Sequence, residues 1–305
     1  MLNLGYDGMM DLAEILGWEP RDMSLGGRLS AAFGARGKGG KGAAHYEAGR
    51  YVYNFTRFNG AGSQAHEFGH AVDHFVGNGA TIVGPEGVPS ATGWRHRLVA
   101  PTRKILSHRD PELAETWHAV IDALDNTAIP QEDAIEKARK NVAHWETNIS
   151  ERQKQIEEVA ARGEIPDVWQ TSIASFQEKL ALAQARLEKV LTASPSDNFG
   201  TRRSSFFTEA LNISGADGYE ARPNEMFARA FECFVSDEIE ARGGLSQYLV
   251  AGVEENLYAD KEMWAGNPYP TGAERENFRV LFQKAMAATL PLIESVRDQE
   301  LSLDR

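Results

Sequence analysis

"GSQAHEFGHAVDHFVG", residues 62–77, decides how the rest of the chain is read. It holds three of the eight histidines of a 305-residue chain, and a glycine, Gly69, sits in the middle of its helical pattern. Turned at about 100° per residue, His66, Glu67, His70, Asp73 and His74 fall on one side. Phe68, Ala71, Val72 and Phe75 fall on the other. His66 and His70 are one helical turn apart, so both can point at one ion. Two neutral imidazoles suit zinc, and the carboxylate between them, Glu67, is placed to take a proton from metal-activated water. Gly69 costs roughly 1 kcal/mol relative to Ala in a helix interior. That cost makes sense where another backbone passes close to the ligands.

Two histidines do not complete such a site, because a catalytic zinc takes three protein ligands. His74 rises about 12 Å and Asp73 about 10 Å above His66 along a straight helix, so the third ligand comes from elsewhere. Pro223 opens "NEMFARAFECFVSDEIEA", residues 224–241, which predicts a second helix of the same design. Glu225, Arg229 and Glu232 share one side of it, and Phe227, Ala230, Phe231 and Phe234 the other. Two such helices can share a core through their apolar faces, with the charged sides meeting at a cleft. Glu225 is the expected third ligand and Glu232 the reserve. Arg229 is the expected outer partner that orients the ligand carboxylate. Taken alone, Glu225 also reads as a first-turn carboxylate favoured by the helix dipole and paired with Arg229. The developing oxyanion needs a second electrophile. Tyr46, His45, Tyr219 and Arg229 are the candidates, and spacing does not rank them.

The middle of the chain follows a different period. Ile135, Val142, Ile149 and Ile156 recur every seven residues, with Ala138, Trp145, Arg152 and Val159 three later. After Gly163 and Pro166 the pattern resumes as Ile173, Leu180 and Leu187 with Phe176, Ala183 and Val190. These seams predict an antiparallel helical hairpin with Arg152 as its weak point. Such an arm can serve a host protein, a second copy of the chain, or packing on its own protein. Elsewhere, residues 9–17 read as a short helix and the seven glycines from Gly26 to Gly42 as mostly loop. "AAHYE" and "RYVYNFTR" across Ala48-Gly49 predict a β-hairpin. Helices are expected at "SSFFTEALNIS" and at the terminal "AERENFRVLFQKAMAATLPLIESV".

Composition narrows the class. Hydrophobic residues make up 42% and charged residues 25%, as in ordinary globular domains. With no apolar run of about 18 residues, no membrane partner is expected. Asp7, Asp11 and Glu14 near the start argue against a secretory leader, and the single cysteine, Cys233, fits a reducing cytosol. Cys233 reads as a small core residue. The net charge of −12 disfavours nucleic acid as a general partner. Two basic stretches, Arg28–Arg57 and Trp94–Arg109, run against that balance.

His66, Glu67, His70 and the downstream "NE" opening a helix resemble the gluzincin group of zinc metallopeptidases. Three blocks go further: "GRLSAAFGARGKGGKGAAHYEAGRYVYNFTRFNGAGSQAHEFGHAVD", "YEARPNEMFARAFECFV" and "PYPTGAERE". They resemble the large polyvalent protein-associated domain 1 of giant proteins in phages and conjugative elements. The resemblance covers roughly residues 20–80 and 200–285 and leaves out the heptad arm, which looks like an insertion. It implies an α+β, zincin-like metallopeptidase with a small sheet over the HExxH helix and an inserted antiparallel helical hairpin. The expected boundaries are 1–110, 111–195 and 196–305. It also implies zinc as cofactor, His66, His70 and Glu225 as ligands, Glu67 as general base, and action on a protein or peptide in the bacterial cytoplasm. "YVYNFTR" is the strand on which such enzymes pair an extended peptide. The alternative is an inactive zincin-like module that holds DNA or a host protein.

Overall fold

A computed structural model describes residues 2–34, 44–56, 60–79, 110–163, 167–194, 197–215, 218–260 and 262–303. Most of the glycine-rich stretch, the segment after Gly79 and the basic run from Trp94 to Arg109 lie outside those residues. The fold is α+β and mostly helical. It divides into two units, Met1–Asn126 with Arg203–Arg305, and Thr127–Arg202.

Unit 1 holds residues 62–77. It contains α1 (Leu2–Leu16), β1 (Ser30–Phe33), β2 (Ala44–Glu47), β3 (Val52–Phe55) and α2 (Gln64–Gly79). α3 (Pro111–Asp125) follows; its partners come from after the arm and are described below. The hairpin expected around Ala48-Gly49 is present as β2 and β3, paired antiparallel from Glu47↔Val52 to Ala44↔Phe55. Its connection is a 3-10 turn, Ala48–Arg50, closed by Tyr51 in the left-handed region at φ 50°. β1 adds to the other edge of β3 in parallel, Ser30↔Val52 to Phe33↔Phe55. This strand lies in a segment that the glycines mark as loop. It forms because Ser30–Phe33 is a short glycine-free run that finds a ready β edge. β3 is therefore the central strand, and β2 and β3 pack on α2.

The core of unit 1 is aromatic. α2 lies against the helix at Pro223–Ala241, and that helix lies against the terminal helix at Gly272–Leu303. Phe68, Phe227, Phe231, Phe278 and Phe282 are all fully buried there, each stabilising the fold by about 1.5–3 kcal/mol. Gly69 is explained by this packing. A Cβ at Gly69 would stand 3.3 Å from Ala228 Cα and 3.3 Å from the Phe231 ring, so the absent side chain lets the two helices close on each other. Cys233 is buried among them.

The sequence places residues 111–125 in the insertion, and the structure places them in unit 1. Asp110 caps α3 by accepting from the backbone N–H groups of Glu112 and Leu113, and Leu113, Trp117, Val120, Ile121 and Leu124 then enter the core. Trp117 stacks on Phe227 with centroids 5.1 Å apart and donates from Nε1 to Thr289 at 2.9 Å. An amphipathic helix without heptads belongs to the nearest apolar core, which is why the boundary falls at Asn126 and not at residue 111.

Unit 2 carries α4 (Gln131–Ala160) and α5 (Asp167–Thr192), with β4 (Asn126–Ala128) and β5 (Thr201–Arg203) pairing where the chain enters and leaves. The two helices run antiparallel. Gln131 donates to the carbonyls of Val190 and Ala193, Trp145 lies against Phe176, and Arg152 sits over Trp169. Each step along α4 is matched by an equal step back along α5. Every seam position read from the heptads is shielded, and Ala138 and Ala183 are buried at the centre. Arg152, the polar break in the seam, is accommodated by its guanidinium lying 5.3 Å from the Trp169 centroid.

The chain continues with α6 (Ser205–Ser214), α7 (Pro223–Ala241) and α8 (Gly272–Leu303), all in unit 1. Ser204 caps α6 by accepting from Phe207 N–H. α8 is tied to α7 by a bidentate Arg275–Asp237 pair and by Arg279 and Gln283 donating to Glu238 at 2.8 and 2.9 Å. No described helix is long and apolar enough to cross a membrane.

Candidate metal centre

The first and last thirds of the chain meet where α2 faces α7. His66 and His70, one turn apart, bring their Nε2 atoms to 3.1 Å of each other. From α7, the Glu225 carboxylate straddles them. Its Oε2 is 3.4 Å from His66 Nε2, and its Oε1 is 3.5 Å from His70 Nε2. One donor atom from each of the three residues falls within 4.8 Å of the others. Donors bonded tetrahedrally to one zinc at about 2.1 Å stand about 3.4 Å apart, close to each of these contacts, with a different carboxylate oxygen turned to each imidazole. Glu225 Oε2 is buried without a hydrogen-bond partner among the described residues, an orphan acceptor that a cation would satisfy. Asn224, the other half of "NE", donates from Nδ2 to Glu225 Oε1 at 3.2 Å.

Glu232 sits behind His66. Its Oε2 is 3.0 Å from His66 Nδ1. With Nδ1 turned to that carboxylate, Nε2 is the nitrogen that faces Glu225 and His70. Two turns of α7 thus meet the histidines differently: Glu225 faces both Nε2 atoms, and Glu232 backs the Nδ1 of His66. The sequence assigns the orienting role to Arg229 and holds Glu232 as a spare ligand. The structure instead lays the Arg229 guanidinium 5.5 Å from the Tyr269 centroid. A register difference of three residues on α7 puts Glu232, not Arg229, level with Nδ1.

Three carboxylates are buried here: Glu67, Glu225 and Glu232 are 6%, 5% and 4% exposed. Burial would push His66 down, but Glu232 and Glu225 overcome it and hold the imidazole up at about 10. Burial would push Glu225 up, yet the close His66 and His70 imidazoles keep it well below the usual carboxylate range. Glu67 behaves oppositely. Its burial outweighs the nearby histidines, and its carboxyl is raised above its ordinary value. So the carboxylate that completes the cluster is held ionised, and the one beside it is biased toward holding a proton.

Of the four electrophile candidates, Tyr219 lies beside Glu225. Burial first and the Glu225 charge second raise its pKa, and its half-exposed ring stands at the rim. The others make their described contacts elsewhere. His45 pairs with Glu47 at 3.3 Å. Tyr46 Oη meets His74 Nδ1 at 2.7 Å, where burial lowers His74 to about 4. Tyr51 stacks on that ring with centroids 4.3 Å apart. His74 and Asp73 stay outside the donor group, as their rise along α2 dictates.

Residues 213–290 match the model of the large polyvalent protein-associated domain 1 family. The matched segment carries Tyr219, Glu225, Arg229 and Glu232 and the first half of α8, and it does not include α2. No curated protein and no solved structure matches the chain.

Proposed function

We propose that the chain is a zinc-dependent, gluzincin-like peptidase of mobile-element origin that cleaves a protein or peptide in the bacterial cytoplasm. The convergence of His66, His70 and Glu225 carries this reading. A carboxylate 155 positions from His70 in sequence comes to 3.4 and 3.5 Å from the two imidazoles, which themselves stand 3.1 Å apart, and this supports a shared metal. His66, His70 and Glu225 would hold the metal, which supplies Lewis-acid activation of water and of the scissile carbonyl when bound. Glu67, buried and biased toward protonation, accepts a proton at its carboxylate and delivers it to the departing amine. Glu232 keeps His66 in one tautomer. Tyr219 is the side chain best placed to donate to a developing oxyanion. An extended peptide cannot add to β3, the strand that the sequence assigns to this task, because β1 and β2 already occupy both its edges. β2 is the edge strand packed on α2 and takes that role.

The test is Glu67→Gln. The variant should keep about one zinc per chain by elemental analysis and lose hydrolysis by roughly 10²–10⁴-fold. If the biological effect survives with zinc still bound, the chain is an inactive binding module.

A further inference from the structure

We propose that one flank of the α4–α5 hairpin is a docking groove for an acidic amphipathic helix of another protein. The groove is a cavity of about 930 Å³ contained within unit 2. α4 lines it with Ala134, Lys137, Ala138 and Asn141. α5 lines it with Ala185, Arg186, Lys189 and Val190, and Ala193 follows just past its end. The α4 set follows the spacing i, i+3, i+4, i+7, and the α5 set comes as two adjacent pairs one turn apart. Two helices that present such rows side by side leave a furrow into which a third helix packs its own ridge. The alanines let a backbone approach closely, and Val190 and Phe199 supply an apolar floor.

Charge selects the occupant. Lys137, Arg186 and Lys189 project from the walls, and no described residue makes an ion pair, hydrogen bond or ring contact with them. Asp197 is the single acidic lining residue, and its carboxylate accepts from Ser194 N–H at 3.0 Å. The groove is therefore basic in a chain whose net charge is −12. A second copy seated symmetrically would bring like cations together, which disfavours self-association through this face. Nucleic acid would meet the net negative charge of the whole chain and an apolar floor with no aromatic platform beyond Phe199. An acidic helix with an aliphatic stripe satisfies both the walls and the floor.

The full chain is titrated, by fluorescence anisotropy, with a labelled helical peptide of about 18 residues bearing a leucine stripe flanked by glutamates. Controls are the same peptide with lysines for glutamates and a labelled single-stranded oligonucleotide. The acidic peptide should bind, more weakly as salt rises. Combining Lys137→Glu, Arg186→Glu and Lys189→Glu should weaken it by roughly tenfold or more and create binding of the lysine peptide. All three side chains are exposed, so circular dichroism should show unchanged helix content. The proposal is overturned if neither peptide binds, if both bind alike, or if the oligonucleotide binds and the triple variant abolishes it. It is equally overturned if sedimentation shows a dimer that the triple variant dissolves.

Discussion

The two helix pairs of this chain solve different problems with different periods. α4 and α5 are near neighbours in sequence and pair by a repeat that each helix carries alone. Their seam is thin, with Ala138 and Ala183 its buried members, and it tolerates an arginine over a tryptophan. α2 and α7 come from opposite ends of unit 1, share a phenylalanine core, and bury three carboxylates at one rim. A local seam stabilises the arm without any particular residue having to reach a distant one. A site assembled from distant segments can bury charge only because a packed core behind it holds the opposing groups in register.

Removing a donor should separate the two regions most. Glu225→Ala should weaken zinc binding beyond the roughly 10–100-fold expected for losing an outer partner. Glu232→Gln should fall within that window, since it touches His66 Nδ1 and not the donor triangle. Competition with a chromophoric chelator measures both, and equal losses would place Glu232 on the metal. Neither change should alter the arm.

Gly69 probes the helix crossing itself. Gly69→Val adds atoms against Ala228 and Phe231, and overpacking of this kind costs about 1–3 kcal/mol. Urea unfolding should show that loss together with weaker zinc binding. A neutral result would mean that α2 and α7 do not rely on this approach.

Acidity should act on the site and spare the arm. In metal-stripped protein, His66 is raised from 6.5 to about 10. Its contribution to stability is full below 6.5 and is lost as pH rises toward 10. Glu225 is depressed, so its contribution is present above the ordinary carboxylate value and is lost as pH falls toward its folded value. The unfolding temperature of unit 1 without zinc should therefore fall on the alkaline side. Zinc binding should strengthen as pH rises, because proton and metal compete for the same nitrogen. Calorimetry with and without zinc checks both signs.

The smallest effects belong to the arm. Arg152→Ala should cost about 0.5–1 kcal/mol, the worth of an exposed cation–π contact. Excising Gln131–Thr192 with a short linker should leave zinc binding unchanged, since Ile129 N–H and Gly200 carbonyl already lie 3.0 Å apart. Loss of zinc on that deletion would make the arm part of the site's foundation.

Local period and local chemistry were legible in the residues alone. The heptads of α4 and α5, the β2–β3 hairpin, the start of α7 at Pro223 and the one-sided His66–Glu67–His70 cluster all follow from spacing and propensity along a single segment. Glu225 was legible too, as the carboxylate on the charged side of a second amphipathic helix. Three things were decided only by the tertiary structure. β1 formed within a glycine-marked loop because a β edge was available to it. α3 joined the aromatic core because Trp117 found Phe227 and Thr289. Glu232, rather than Arg229, backed His66 because the rotation of α7 about its own axis is set by Phe227, Phe231 and Phe234 packing on neighbouring helices. Spacing says which side chains share a face. Which of them stands opposite a given nitrogen depends on the rotation and register of two helices, and those are set by packing between segments far apart in the chain.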